Sequence, residues 1–163
     1  NVGGGFHHAH RDRGGGFCIF NDAAVAIRAQ RAARFDGRIL VVDLDLHDGD
    51  GTRSIFADDP TVHTFSIHNQ NWDDRAAVEA TVLPLGPGID DARYLETLET
   101  TLPPLFERFR PELVIYLCGA DLTAFTLRQK NMLAEYVRRG GGLIVFGGHK
   151  ALDRAGLKRR QTS

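Results

Sequence analysis

Strands alternating with helices predict an α/β protein with a mainly parallel sheet. Three observations carry that reading. Apolar runs such as Ile39-Leu40-Val41-Val42 have the length and continuity of strands covered on both faces. Segments with helical spacing of their apolar residues lie between those runs. Charged, glycine-bearing sequence follows two of the strands directly, at Asp43 and at Gly119, and open α/β sheets carry their sites at the carboxyl ends of strands.

Taken in order, Asn21 can cap an Ala-rich helix over residues 22–34 that puts Ala24 and Ile27 on one face, with Gly37 as its stop. The strand at 39–42 follows, then strand candidates at 62–67 and 81–85. Residues 90–109 have helical spacing in Tyr94, Leu95, Leu98, Leu102 and Leu105, and Pro103-Pro104 should kink or restart that helix. A buried strand at 113–117 precedes a helix at 127–139, with Thr126 as cap, Gln129 at the capping-box position and Gly140 beyond its end; a last strand spans 143–146.

A chain of 163 residues that is 42% hydrophobic suits one globular domain. Its net charge of −1, with no segment gathering the basic residues, asks for neither nucleic acid nor an anionic membrane. Cys18 and Cys118 lie far apart in apolar segments, as in a reduced, cytoplasmic protein, and no run approaches the ~18 apolar residues of a membrane span. The chain opens at Asn1 on a glycine-rich loop with no initiator Met and no element before it, which reads as a cut through a larger domain.

The chemistry concentrates in Asp43-Leu44-Asp45-Leu46-His47-Asp48-Gly49-Asp50-Gly51, where the strand at 39–42 must end. A side-chain period of two puts Asp43, Asp45 and His47 on one side. Aspartate with histidine can ligate Zn²⁺, and the same sequence also reads as a polar turn with solvated carboxylates. Phe6-His7-His8-Ala9-His10, followed by Gly14-Gly15-Gly16-Phe17-Cys18, offers adjacent imidazoles as general base and electrostatic partner, or else surface histidines. Asp121, in Gly119-Ala120-Asp121, can be a third ligand or a helix cap. His10, His63 and His68 have no partner legible in the sequence and are expected to be structural.

Together with Asn1-Val2-Gly3-Gly4-Gly5 and Phe65-Ser66-Ile67-His68, these motifs resemble the histone deacetylase family, its class IV and bacterial members in particular. The resemblance implies an arginase-like fold of three layers, with helices on both faces of the sheet. Residues 1–121 are then the central part of a deacetylase domain truncated at its N-terminus. It implies a zinc-dependent amidohydrolase acting on acetyl-lysine or a related acylated amine, through metal-activated water and a histidine general base. Asp45, His47 and Asp121 would be the zinc ligands, and His7 and His8 the tandem histidines, oriented by Asp43 and Asp50. Asp43 and Ser66 would help to hold potassium, and Gly16 and Phe17 would line the acyl-lysine channel.

Residues 122–163 depart from the family's pattern. Gly147-Gly148-His149 stands in for a glycine-rich turn whose Tyr donates to the oxyanion, and His149 takes the Tyr position as in class IIa members. Residues 122–148 are also similar to strand–helix–strand pieces of glutamine-amidotransferase-like domains, so a junction with a foreign segment near Asp121 is the other expectation. A metal-holding or acyl-lysine-binding fragment without turnover is the alternative function. A two-metal arginase type of reaction is disfavoured by the shortage of bridging carboxylates.

Overall fold

The computed structural model describes residues 5–117 and 127–146. Asp121, His149, Thr126 and Cys118 lie outside them. The elements run α1 (Asp22–Ala32), β1 (Ile39–Asp43), α2 (Asp50–Ile55), β2 (Val62–His68), β3 (Ala80–Pro84), α3 (Asp91–Phe109), β4 (Leu113–Leu117), α4 (Leu127–Arg138) and β5 (Gly142–Phe146). The five strands form one sheet in the order β3-β2-β1-β4-β5, and every pair is parallel. The order reverses between β1 and β4, so the carboxyl ends of these two strands flank the crevice that a doubly wound sheet uses for ligands.

Alternation along β1 separates two cores. Ile39 and Val41 pack with Ala23, Ala24 and Ile27 of α1 and with Phe56 just after α2. Leu40 and Val42 face the opposite way, onto Leu105 and Phe109 of α3, and Tyr136 of α4 joins that side. Helices therefore cover both faces, as in the three-layer arrangement expected, and β1 and β4 are buried at every residue. Burial on both faces explains why β1 reads as an unbroken apolar run.

Local differences from the sequence reading have local causes. The Asn21 side chain does accept the Ala24 N–H at the start of α1. The helix stops at Ala32, without waiting for Gly37: Arg34 turns left-handed, and the Arg31 guanidinium donates to the carbonyls of Phe35 and Gly37. Helix α3 runs unbroken through Pro103 and Pro104. Both prolines are exposed, as are Glu99 and Thr100 one turn earlier, whose carbonyls lose their N–H partners and can turn to water. The apolar face of α3, anchored by Leu105 and Phe109, stays on the sheet. Helix α2 has only six residues and was not legible in the sequence. No described helix is long and apolar enough to cross a membrane.

Candidate active site at the carboxyl end of β1

Asp43 is the last residue of β1 and lies, by alternation, on the α1 side of the sheet. The loop before α1 brings His7 and His8 against that end. Its backbone is fixed there: the His7 carbonyl accepts the Thr52 N–H at 3.0 Å, and the Asn21 side-chain amide reaches the carbonyls of His7 and Ala9, at 3.2 Å each. Glycines make the approach possible. A side chain at Gly51 would place its first carbon 2.5 Å from the Ala9 oxygen, and one at Gly49 would place it 2.5 Å from Asp43 Oδ2.

The result is two buried imidazole–carboxylate pairs side by side. His7 Nδ1 lies 2.6 Å from Asp43 Oδ2, and His8 Nδ1 lies 2.7 Å from Asp50 Oδ1. The rings are 4.2 Å apart, and both residues are no more than 4% exposed. With Nδ1 committed to Asp43, His7 presents Nε2 toward Asp45 Oδ1, 3.8 Å away. Asp43 Oδ1 accepts the Asp45 N–H at 3.1 Å, so a single carboxylate fixes both the ring and the next turn of chain.

Burial alone would push the His7 pKa down. The hydrogen bond and charge of Asp43, with the charges of Asp45 and Asp50, outweigh it and hold His7 above its ordinary 6.5. Burial likewise pushes the Asp50 carboxyl up, but the His8 hydrogen bond and the surrounding positive charge leave it below its ordinary value.

Asp45 and His47 lie just beyond the strand and are more open. His47 Nδ1 is 3.1 Å from Asp45 Oδ1, which also accepts the His47 backbone N–H. Two ligand atoms on one tetrahedral zinc, each at about 2.0–2.1 Å, stand about 3.3 Å apart, so this pair suits a shared zinc as well as a hydrogen bond. Among the described residues no three His, Cys, Asp or Glu side chains form a metal group by themselves. Asp121, the third ligand expected, and His149 fall outside the described residues, although β4 does end beside β1, with Asp43 in register with Leu117.

Ser66 is the register partner of Asp43 on β2, and its hydroxyl bonds His68 Nδ1 at 2.8 Å. Gly16 has a positive φ, and a side chain there would overlap the His8 ring; Phe17 beside it is fully exposed.

Several contacts here escaped the sequence reading. Asp50 is shared, since His10 Nε2 lies 3.2 Å from its Oδ2. His68 also reaches Asn71, at 2.9 Å. Trp72 stacks flat on His8, with centroids 4.1 Å apart and planes 6° apart, and meets His47 edge-on. Asp48 and Arg53 form a buried two-pronged ion pair at 2.5 and 2.9 Å. A buried Arg five residues after an Asp was the one available signal, and sequence alone does not show that burial.

The family model described as the histone deacetylase domain matches residues 1–134, continuing past Asp121. An uncharacterized protein of Picosynechococcus sp. is 46% identical over 122 residues, covering 74% of this chain and 41% of that protein. The acetoin utilization protein AcuC of Staphylococcus aureus is 32% identical over 176 residues, covering 91% of this chain and 45% of AcuC. AcuC of Bacillus subtilis is 34% identical over 134 residues, covering 74% and 34% respectively. The chain thus spans less than half the length of each of these relatives. With the greater part of its residues matched by the family model, around a paired-histidine site at the mouth of a parallel sheet, the chain belongs to the histone deacetylase domain family.

Proposed function

We propose that this chain carries the central part of the catalytic site of a zinc-dependent deacetylase that hydrolyses the amide of acetyl-lysine or a related acylated amine. The observation that supports it most is the doubled arrangement of His7 with Asp43 and His8 with Asp50, each ring bonded at Nδ1 by its own carboxylate. A ring held at one nitrogen keeps its tautomer and orientation, and the other nitrogen is left to exchange a proton.

Asp45 and His47, with Asp121, would hold the zinc. Bound there, the ion would polarise the acyl carbonyl and make water a nucleophile near neutral pH. His8, oriented by Asp50, takes the proton that the water gives up. His7, held above its ordinary pKa, carries the proton that the leaving amine needs. The two rings are 4.2 Å apart and act as a coupled set. Asp43 and Ser66, in register on β1 and β2, would help to hold potassium. Gly16, against His8, and Phe17 would border the approach of the acyl chain, and His149 would donate to the oxyanion. The partners in this reading are acetylated lysine proteins or small acetylated amines, met in the cytoplasm, without nucleic acid or membrane.

The second reading is a metal- or acyl-lysine-binding piece without turnover. Zinc stoichiometry, peptide binding and acetate release, measured together on the purified chain, separate the readings. Bound zinc with acetate released from an acetyl-lysine peptide supports the deacetylase. Zinc and bound peptide without acetate support the second reading, two metals per chain support an arginase type, and no zinc at all overturns the metal assignment.

A further inference from the structure

Between His68 and Ala80 the chain forms neither helix nor strand, and this stretch carries Trp72, the sole tryptophan. A flat stack of an indole on a catalytic imidazole demands accurate placement, which an irregular segment does not provide by itself. The placement comes from below. Asp48, with no exposure, and Arg53, at 3%, face each other as a planar fork. Each makes one further bond to the same dipeptide: Asp48 Oδ2 accepts the Trp72 N–H at 3.1 Å, and Arg53 Nη2 donates to the Asp73 carbonyl at 2.7 Å. The backbone at Trp72 and Asp73 is therefore gripped on both sides. Asp48 lies between His47 and Gly49, and Arg53 on α2, three residues beyond Asp50.

We propose that the Asp48–Arg53 pair is a positioning device for His8 that acts through Trp72. Asp50 holds the edge of the His8 ring, and the indole held by this pair fixes its face. A buried ion pair is a poor source of stability, because apolar residues of similar volume often serve as well or better. What apolar residues cannot supply is a rigid fork with spare acceptor and donor sites aimed at two backbone groups. The catalytic consequence rests on the deacetylase reading; the placement of Trp72 does not.

The sole tryptophan makes that placement measurable without any activity. In the unmutated chain the Trp72 amide should exchange with deuterium as slowly as amides of the sheet; exchange at the rate of an open loop overturns the proposal. The charge-free variant Asp48→Leu/Arg53→Met, and Arg53→Lys, which keeps the charge without the fork, should retain their circular dichroism. Their Trp72 emission should shift to the red and become more readily quenched by acrylamide. A folded variant of either kind whose emission and quenching are unchanged also overturns it.

If the chain or its longer form releases acetate, kcat should fall by up to about 100-fold in these variants with zinc content retained, since a displacement of about 1 Å costs that much. Displaced tryptophan with unaltered kcat would leave the pair as an anchor of Trp72 but remove the role at His8. Absence of acetate release from every form would fall on the deacetylase reading instead.

Discussion

The molecule contains two histidine–carboxylate bonds of the same length in opposite electrostatic settings. His7 Nδ1 lies 2.6 Å from Asp43 at the carboxyl end of the sheet, and His63 Nδ1 lies 2.6 Å from Glu79 near the start of β2, on the α3 side. Both imidazoles are buried, at 3% and 1% exposure. Yet His7 is held above 6.5 and His63 below it. Burial pushes both down, and the difference lies in the company. Around His7 stand Asp43, Asp45 and Asp50, none of them in a described ion pair with Arg or Lys. Glu79 is shared with Arg108, whose positive charge also opposes protonation of His63. His63 sits where a carboxylate and a guanidinium balance, whereas the ion-pair partners of the carboxylates around His7 are, among the described residues, imidazoles.

The largest effect expected from breaking this contrast is at Asp50. Asp50→Asn keeps the shape of the site but not the charge that orients His8 and, on the deacetylase reading, acetate release by an intact homologous domain should drop by about 10²- to 10⁴-fold, the worth of a general acid–base group. Zinc content should stay near normal by atomic absorption; loss of zinc would mean that Asp50 is a ligand.

Next comes stability. Asp48→Ala strands the buried Arg53 charge and should cost about 3–5 kcal/mol in urea unfolding. Hydrogen bonding and the charge of Arg53 outweigh burial and hold Asp48 below its ordinary 3.8. The stability it contributes is thus complete above its unfolded pKa and lost as pH falls through the lower folded value. The variant's acid unfolding should be less steep than that of the parent.

Smaller, and opposite in sign, are the contributions of the two histidines. His7, with its raised pKa, stabilises the fold below pH 6.5 and loses that contribution as pH rises through its folded value. His63, with its lowered pKa, contributes above 6.5 and loses stability as pH falls through its own. Melting temperatures between pH 5 and 8 should show His63→Gln removing only an acid-side slope and His7→Gln only an alkaline-side slope. Identical slopes in the two variants would erase the contrast. The smallest change is Arg108→Ala, on an exposed side chain: stability should alter by less than about 1 kcal/mol, and His63 should titrate closer to 6.5 by NMR.

What the sequence revealed follows from how locally each feature is determined. β1 and β4 were legible because burial on both faces demands uninterrupted apolar residues, and Asn21 because a cap acts within three residues. His7, His8, Asp43, Asp45, His47 and Asp50 could be named because the chemistry confines them to two short motifs and the family resemblance orders them. The partners of His63 were not legible, since Glu79 lies 16 residues away and Arg108 45, across strand register and helix packing that no local pattern encodes. The stacking of Trp72 on His8 was not legible for the same reason. Helix α2, under two turns long, is made by its packing under the His7–His8 backbone rather than by its own sequence.

The most direct test of the account is a zinc titration of the metal-free chain followed by histidine-resolved NMR. One equivalent should saturate the chain, shift the His47, His7 and His8 rings, and leave His63 untouched. Failure to saturate, or a response at His63 with none at His47, would contradict the assignment of the metal to the carboxyl end of β1.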